Sequence, residues 1–133
     1  MTAQGEDVLA YLDAAIARVE TAARAVDYDT IETGDYLWGT KYLVLRRDDE
    51  AKAAPEMDAE LADHIALHDP QSVLRRCAAD RKLIAEHGPF SATDLSCKGC
   101  GLNGHEEMVT GYYEDCPVLC AIAEGYGRTE GER

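Results

Sequence analysis

"SCKGCGLNGHEEMVTGYYEDCPVLC", residues 96–120, carries four of the five cysteines of the chain, together with His105. Cys97 and Cys100 have the Cys-x2-Cys spacing, which lets two thiolates in one tight turn face a single tetrahedral ion. Gly99, Gly101 and Gly104 surround the second cysteine and supply backbone conformations that bulkier residues resist. Cys116 follows after fifteen residues and precedes Pro117. Proline favours the first position of a helix. Cys116 is therefore expected at a helix N-terminus, where free N–H groups and the helix dipole stabilise a thiolate. Cys97, Cys100 and Cys116 are thus expected to ligate one zinc ion.

The fourth ligand is open on spacing alone. Cys120 lies one helical turn beyond Cys116 and could reach the same ion. His105 lies a short reach around the loop from Cys100. His87 precedes Gly88-Pro89, where the chain turns towards the cysteines, so a ligand there would tie a helix to the ribbon. It would also leave the site one charge less negative than four thiolates would. Four protein ligands make a zinc site structural, whereas three leave a position open for chemistry. Catalysis would need a base, and Glu106 and Glu107 are the near candidates. "HEE" matches neither the helical H-E-x-x-H pattern nor the zinc-deaminase pattern, so a structural ion is expected and no catalytic residue is named. Cys97-x2-Cys100 also lacks the strand-to-helix setting of a thioredoxin-like dithiol.

Working back from the cysteines, "PQSVLRRCAADRKLIAEH" predicts a helix from Pro70 that buries Val73, Leu74, Cys77, Leu83 and Ile84 and stops at Gly88-Pro89. Asp69 is a good N-cap for it. "EMDAELADHIALH" predicts a preceding helix with Met57, Leu61, Ile65 and His68 on one face and Pro55 in its first turn. "DDEAKAAPEM" reads as a polar linker. In "YDTIETGDYLWGTKYLVLRRDDE", strand-favouring residues predict a hairpin or three-stranded meander. Its surest strand is Lys41–Arg46, and turns are expected at Gly34-Asp35 and Gly39-Thr40. Trp38, Tyr42 and Val44 are expected to pack on helices. At the N-terminus, Val8, Leu12, Ile16, Val19, Ala23 and Val26 form one stripe of an uninterrupted amphipathic helix.

The chain has 133 residues and a formal net charge of −13, which fits one domain and opposes direct nucleic-acid binding. Five cysteines without a signal-peptide pattern point to a reducing cytoplasm and to metal rather than disulfides. No apolar run is long enough for a membrane helix. P-loop, Rossmann and Gly-x-Ser-x-Gly signatures are missing. His64 and His68 share a helical face and, with Asp63 and Asp69, form a second candidate metal or acid–base group. A core-edge and helix-end role is the plainer expectation for them. Arg75, Arg76, Arg81 and Lys82 are expected to pair with carboxylates.

"HIALHDPQSVLRRCAADRKLIAEH", residues 64–87, resembles a motif of the small actinobacterial and actinophage proteins grouped as domain of unknown function 6221. Val8–Glu20, Trp38, Cys97 with Cys100, and "CPVLCAIAEGY" from Cys116 extend the resemblance over some two-thirds of the chain. It implies no activity. The family pattern keeps a histidine at His87 and has arginine where this chain has Cys120, which favours His87 as the fourth ligand. The tail lacks the family's "HPxY" ending.

The resulting expectation is an α+β fold, mainly helical. A long N-terminal amphipathic helix (1–28), a small antiparallel hairpin or meander (30–47), a helix pair (56–88), a C-terminal zinc-knuckle segment (96–126) and a frayed tail (127–133) would form a single domain. The function expected is that of a zinc-stabilised, non-catalytic accessory or interaction protein with an unidentified protein partner, of phage origin by resemblance. Alternatives are a metal-dependent enzyme with an open zinc site, and an acidic inhibitor or nucleic-acid mimic that binds a basic host protein.

Overall fold

Residues 7–129 are described in the computed structural model of the chain. Among them, four helices accompany a small antiparallel sheet, an α+β fold. The elements are α1 (Val8–Arg24), β1 (Thr30–Asp35), β2 (Thr40–Arg47), β3 (Glu50–Ala53), β4 (Met57–Asp58), α2 (Ala59–Leu67), α3 (Pro70–Glu86) and α4 (Pro117–Gly125). No helix among these residues is long and apolar enough to cross a membrane. The chain clusters into two compact units: Arg18–Cys77, and the chain before and after it.

In the unit formed by the two ends, Val8 and Leu12 of α1 are buried with Cys97, Tyr113, Cys116, Leu119 and Ala123. Polar ties add to this apolar cluster. The Tyr11 hydroxyl donates to the Tyr126 carbonyl at 3.0 Å, and the Tyr126 hydroxyl to Asp80 at 2.8 Å. α4 closes with a Schellman pair: Arg128 N–H to Ala123 carbonyl and Gly127 N–H to Glu124 carbonyl, both 2.9 Å. Gly127 takes the left-handed φ of +97° that such a cap needs. The rest of the tail expected to fray, 130–133, lies outside the described residues, as do the first six positions of the N-terminal segment.

In Arg18–Cys77, β2 is central, with β1 on one side and β3 and β4 on the other, all antiparallel. Ile31, Leu43 and Ala62 are buried, and Tyr28, Leu45, Ala54, Met57, Ile65 and Ala66 pack against them. The inward face of β2 is therefore that of Leu43 and Leu45. Trp38, Tyr42 and Val44 were expected to pack on helices, and that expectation is corrected: Tyr42 and Val44 have the opposite parity to Leu43 and Leu45, and Trp38 lies beyond the strands. Trp38 is 95% exposed, at the tip between β1 and β2.

Two further differences have local causes. Gly34 belongs to β1, not to a turn. It pairs with Tyr42, whose ring lies where any Cβ at Gly34 would stand. The expected linker forms β3 and β4 instead. Arg47 pairs with Glu50 across the two-residue turn Asp48-Asp49, and Asp48 takes a φ of +50°, which aspartate tolerates better than most side chains. Pairing thus overrides the weak strand propensity of "EAKA". Pro55 consequently lies between strands, and α2 starts at Ala59. α2 buries Ala62 and leaves Leu61 51% and Leu67 70% exposed. Along α3, Cys77 is buried, Val73, Leu74 and Ile84 are half-buried, and Leu83 is exposed.

Asp69 caps α3 at Pro70 and does more. One carboxylate oxygen accepts the Ser72 N–H at 2.7 Å, and the other accepts the Ile31 N–H of β1 at 3.2 Å. The Gln71 N–H adds a bond to the Asp29 carbonyl at 2.9 Å. One buried side chain thus caps a helix and anchors a strand. Burial opposes its ionisation, but the hydrogen bonds from Ser72 and Ile31 outweigh it and hold the carboxyl below the usual carboxylate range. A depressed carboxylate contributes stability that is complete above its unfolded pKa of about 4 and is lost as pH falls through the folded value. Asp69→Ala is expected to cost about 2 kcal/mol at neutral pH. Its gap to the parent protein should shrink below about pH 4. Urea titrations across pH read both, and a gap that widens on acidification contradicts the assignment.

Candidate metal centre

The end of α3, the turn after it and the start of α4 supply four potential donors. His87 follows the last helical residue of α3, with its N–H still bonded to the Leu83 carbonyl at 3.0 Å. Gly88 and Pro89 reverse the chain there: the Lys98 N–H reaches the Gly88 carbonyl at 3.1 Å, and Pro89 bridges to Cys97. A small ribbon then runs out and back. Leu102 bridges to Met108, Val109 N–H donates to the Gly101 carbonyl at 3.0 Å, and Cys97 N–H donates to the Thr110 carbonyl at 3.0 Å. Cys116 is the N-cap of α4, with Pro117 in the first turn, as the Cys-Pro pair predicts.

The outcome is a group of His87, Cys97, Cys100 and Cys116 whose donor atoms all lie within 4.8 Å of one another. His87 Nδ1 lies 3.5 Å from Cys97 Sγ, 3.8 Å from Cys100 Sγ and 3.4 Å from Cys116 Sγ. Cys100 and Cys116 place their sulfurs 3.6 Å apart. A tetrahedral zinc with ordinary bond lengths has sulfur–sulfur edges of about 3.8 Å and sulfur–nitrogen edges of about 3.6 Å. The four donors therefore fit one such ion.

Gly99 allows this approach. A Cβ there would stand 2.5 Å from the Glu86 carbonyl oxygen and 2.7 Å from His87 Nδ1. The glycine is needed for closeness, whereas Gly101 serves conformation, at a φ of +72°. Gly104 meets neither condition, and the role that spacing suggested for it has no counterpart here.

The surroundings treat the thiols unequally. A hydrogen bond from the Thr110 side chain, against a smaller effect of burial and with help from His87, brings Cys100 down to about 7. Burial pushes Cys116 up to about 11, opposed by the Leu119 and Val118 N–H groups at the start of α4. A divalent cation would reverse that preference, because a coordinating thiol ionises outright.

The other candidates stand elsewhere. Cys120 is outside the group, its thiol 3.4 Å from the Glu114 carbonyl. His105 is exposed at the ribbon tip, where Asn103 Oδ1 accepts the His105 and Glu107 N–H groups at 2.8 and 3.1 Å. Glu106 and Glu107 are exposed on the same tip. The His64 and His68 rings meet at a tilt of 55°, with centroids 4.7 Å apart. Arg76 approaches His68 Nδ1 at 3.1 Å, so that nitrogen serves as acceptor to a cation. Asp63 is bound by Lys41 and Asp69 is spent on its cap. No third donor joins the pair among the described residues. Arg81 pairs with Asp13 at 3.0 Å.

One feature escaped the spacing rules. Glu114, two residues before Cys116, accepts the Val8 N–H at 2.9 Å and so caps α1. Burial and a bond to Asp7 raise its pKa; Asp7 is lowered, burial notwithstanding, by that same bond. Burial and Asp7 together raise the adjacent Tyr113 to about 12. A partner a hundred residues away leaves no local signal.

Fold and site together define a small α+β protein with a Cys3His group able to hold a metal ion. The chain belongs to a family of unknown function, DUF6221, which it matches over residues 5–128. It matches no curated protein and no solved structure.

Gly99→Ala is expected to destabilise the protein by about 1–3 kcal/mol through forced separation of the turn from α3. Gly104→Ala, which meets nothing within 4 Å, should be near neutral. Denaturant midpoints of the two variants decide, and equal losses would refute the role given to Gly99.

Proposed function

We propose that Cys97, Cys100, Cys116 and His87 hold one zinc ion as a closed structural site. The chain is then a mainly helical, zinc-stabilised accessory protein that acts by binding another protein. The carrying observation is the position of His87 Nδ1, 3.4–3.8 Å from three sulfurs. A ring nitrogen has one proton or one lone pair to offer. It can satisfy one thiol well, and near-equal distances to three are the arrangement of donors around a common centre.

Three thiolates and an imidazole suit zinc better than harder ions. When bound, the ion would supply folding energy rather than chemistry, since four protein donors leave no position for water. The protein's own residues do the rest. Gly99 admits the turn to the end of α3, Thr110 orients Cys100, and the first N–H groups of α4 face Cys116. Free thiols in this number imply a compartment that keeps them reduced, such as the cytoplasm.

One zinc per chain is expected by native mass spectrometry, and a chain purified without chelator that carries no metal refutes the proposal. His87→Ala should lose zinc to a mild chelator far faster than Cys120→Ala. The reverse order would make the site all-cysteine. Cys97→Ser should unfold the segment that follows α3, because apparent zinc-binding energies of about 10–16 kcal/mol are folding energy. Cys77→Ser, at a buried thiol that is not one of the four donors, should cost only about 1–3 kcal/mol. Similar melting-temperature losses for the two would contradict the reading.

A further inference from the structure

The tip of the β1–β2 hairpin takes no part in the metal group. Tyr36, Leu37 and Trp38 follow one another there and are 55%, 60% and 95% exposed. Exposed apolar side chains grouped in this way mark interaction sites more often than scattered single ones do. The tip is built, not slack. The Tyr36 N–H donates to the Thr40 carbonyl at 2.9 Å, and the Thr40 hydroxyl donates to the Leu37 carbonyl at 2.7 Å. Trp38 is held at φ 56°, ψ 43°, a left-handed conformation that a large side chain keeps only where its surroundings impose it.

Charge surrounds the tip unevenly. Asp35 pairs with Lys41 across the hairpin, and Asp58 stands opposite Thr40. Both aspartates are exposed. Lys41, the cation at the base of the tip, is already held by both oxygens of Asp63, at 2.7 and 2.9 Å. An apolar knob therefore rises from an acidic collar, on a chain of net charge −13.

We propose that this hairpin tip is a docking knob for a cationic, amphipathic segment of a partner protein. Apolar side chains of that segment pack on Leu37 and Trp38, and its basic groups meet Asp35, Asp58 and the indole face. Tryptophan and tyrosine dominate the energetics of such contacts. Arginine and lysine bind indole faces. A tip fixed beforehand loses little freedom on binding. A membrane would also accept the apolar knob, but anionic headgroups are repelled by the collar and by the net charge. A second copy of the chain would bring a second acidic collar.

Trp38 is the single tryptophan of the chain, so its fluorescence reads the tip alone. The probe is a synthetic peptide of alternating leucine and arginine, added to the full chain. A saturable blue shift is expected, weakened by salt. In the double variant Asp35→Asn/Asp58→Asn, which keeps the reporter, affinity should fall roughly tenfold. Leu37→Ala should weaken it as well, with circular dichroism confirming that both variants are folded. The proposal is overturned if the peptide gives no shift, or if a leucine–glutamate peptide shifts the emission equally. It is also overturned if phosphatidylserine-containing vesicles shift the emission where the peptide does not, marking a lipid site. A shift on concentrating the protein alone marks self-association and overturns it too. So does unchanged affinity in the charge variant.

Discussion

The turn Cys97–Cys100 lies against the last turn of α3 with no side chain at Gly99 between them. That approach brings the His87 ring, at the exit of a helix, into a space shared with three sulfurs. It also places Cys97 and Cys116 where they are buried with Val8 and Leu12 of α1 and with Leu119 of α4. The group of donors is therefore also a piece of core. A thiol can serve as a small apolar side chain, so burial alone would not require an ion. The histidine makes the difference, because its Nδ1 faces three sulfurs at 3.4–3.8 Å and can pair with only one of them.

Much of the site could be read from the chain because its information is local. Cys-x2-Cys is a spacing, Cys-Pro marks a helix start, and Gly88-Pro89 marks a reversal that carries His87 towards the turn. Cys120 was harder to judge. Its position on α4 is compatible with reach, but its thiol lies against the Glu114 carbonyl instead. The clamp of Glu114 and Asp7 on the start of α1 could not be read, because its partners are 106 positions apart for the Val8 bond. The second bond of Asp69, to Ile31, is of the same kind. Its capping role is written in "DPQS", but its strand-anchoring role depends on a partner 38 positions away.

The sheet was less legible, and the reason is parity. "TKYLVLRR" has apolar residues at adjacent positions, so alternation does not decide which set faces inward. The structure chooses Leu43 and Leu45, which stand opposite Thr33 and Ile31 of β1. Gly34 was misleading for a related reason. Glycine marks a turn in most polar contexts, but here it accommodates a cross-strand tyrosine ring. β3 is written in residues of poor strand propensity and exists because β2 offers an edge and Asp48 makes the turn.

The course of the hairpin explains why a chain with so small a core in its sheet unit leaves its tryptophan in water. Ile31, Leu43 and Ala62 are the buried residues of that cluster, and Asp69 adds a polar anchor where apolar area is scarce. The hairpin runs past this core. β1 ends at Asp35 and β2 begins at Thr40, so the intervening residues have neither a strand partner nor a helix to cover them. Trp38 lies in that turn at φ 56°, beyond the strand alternation that turns Leu43 and Leu45 inward. The exposed tip is thus not apolar surface left over from incomplete packing. It is the part of the hairpin that extends beyond the paired strands, and the Thr40–Leu37 hydrogen bond gives it a definite shape.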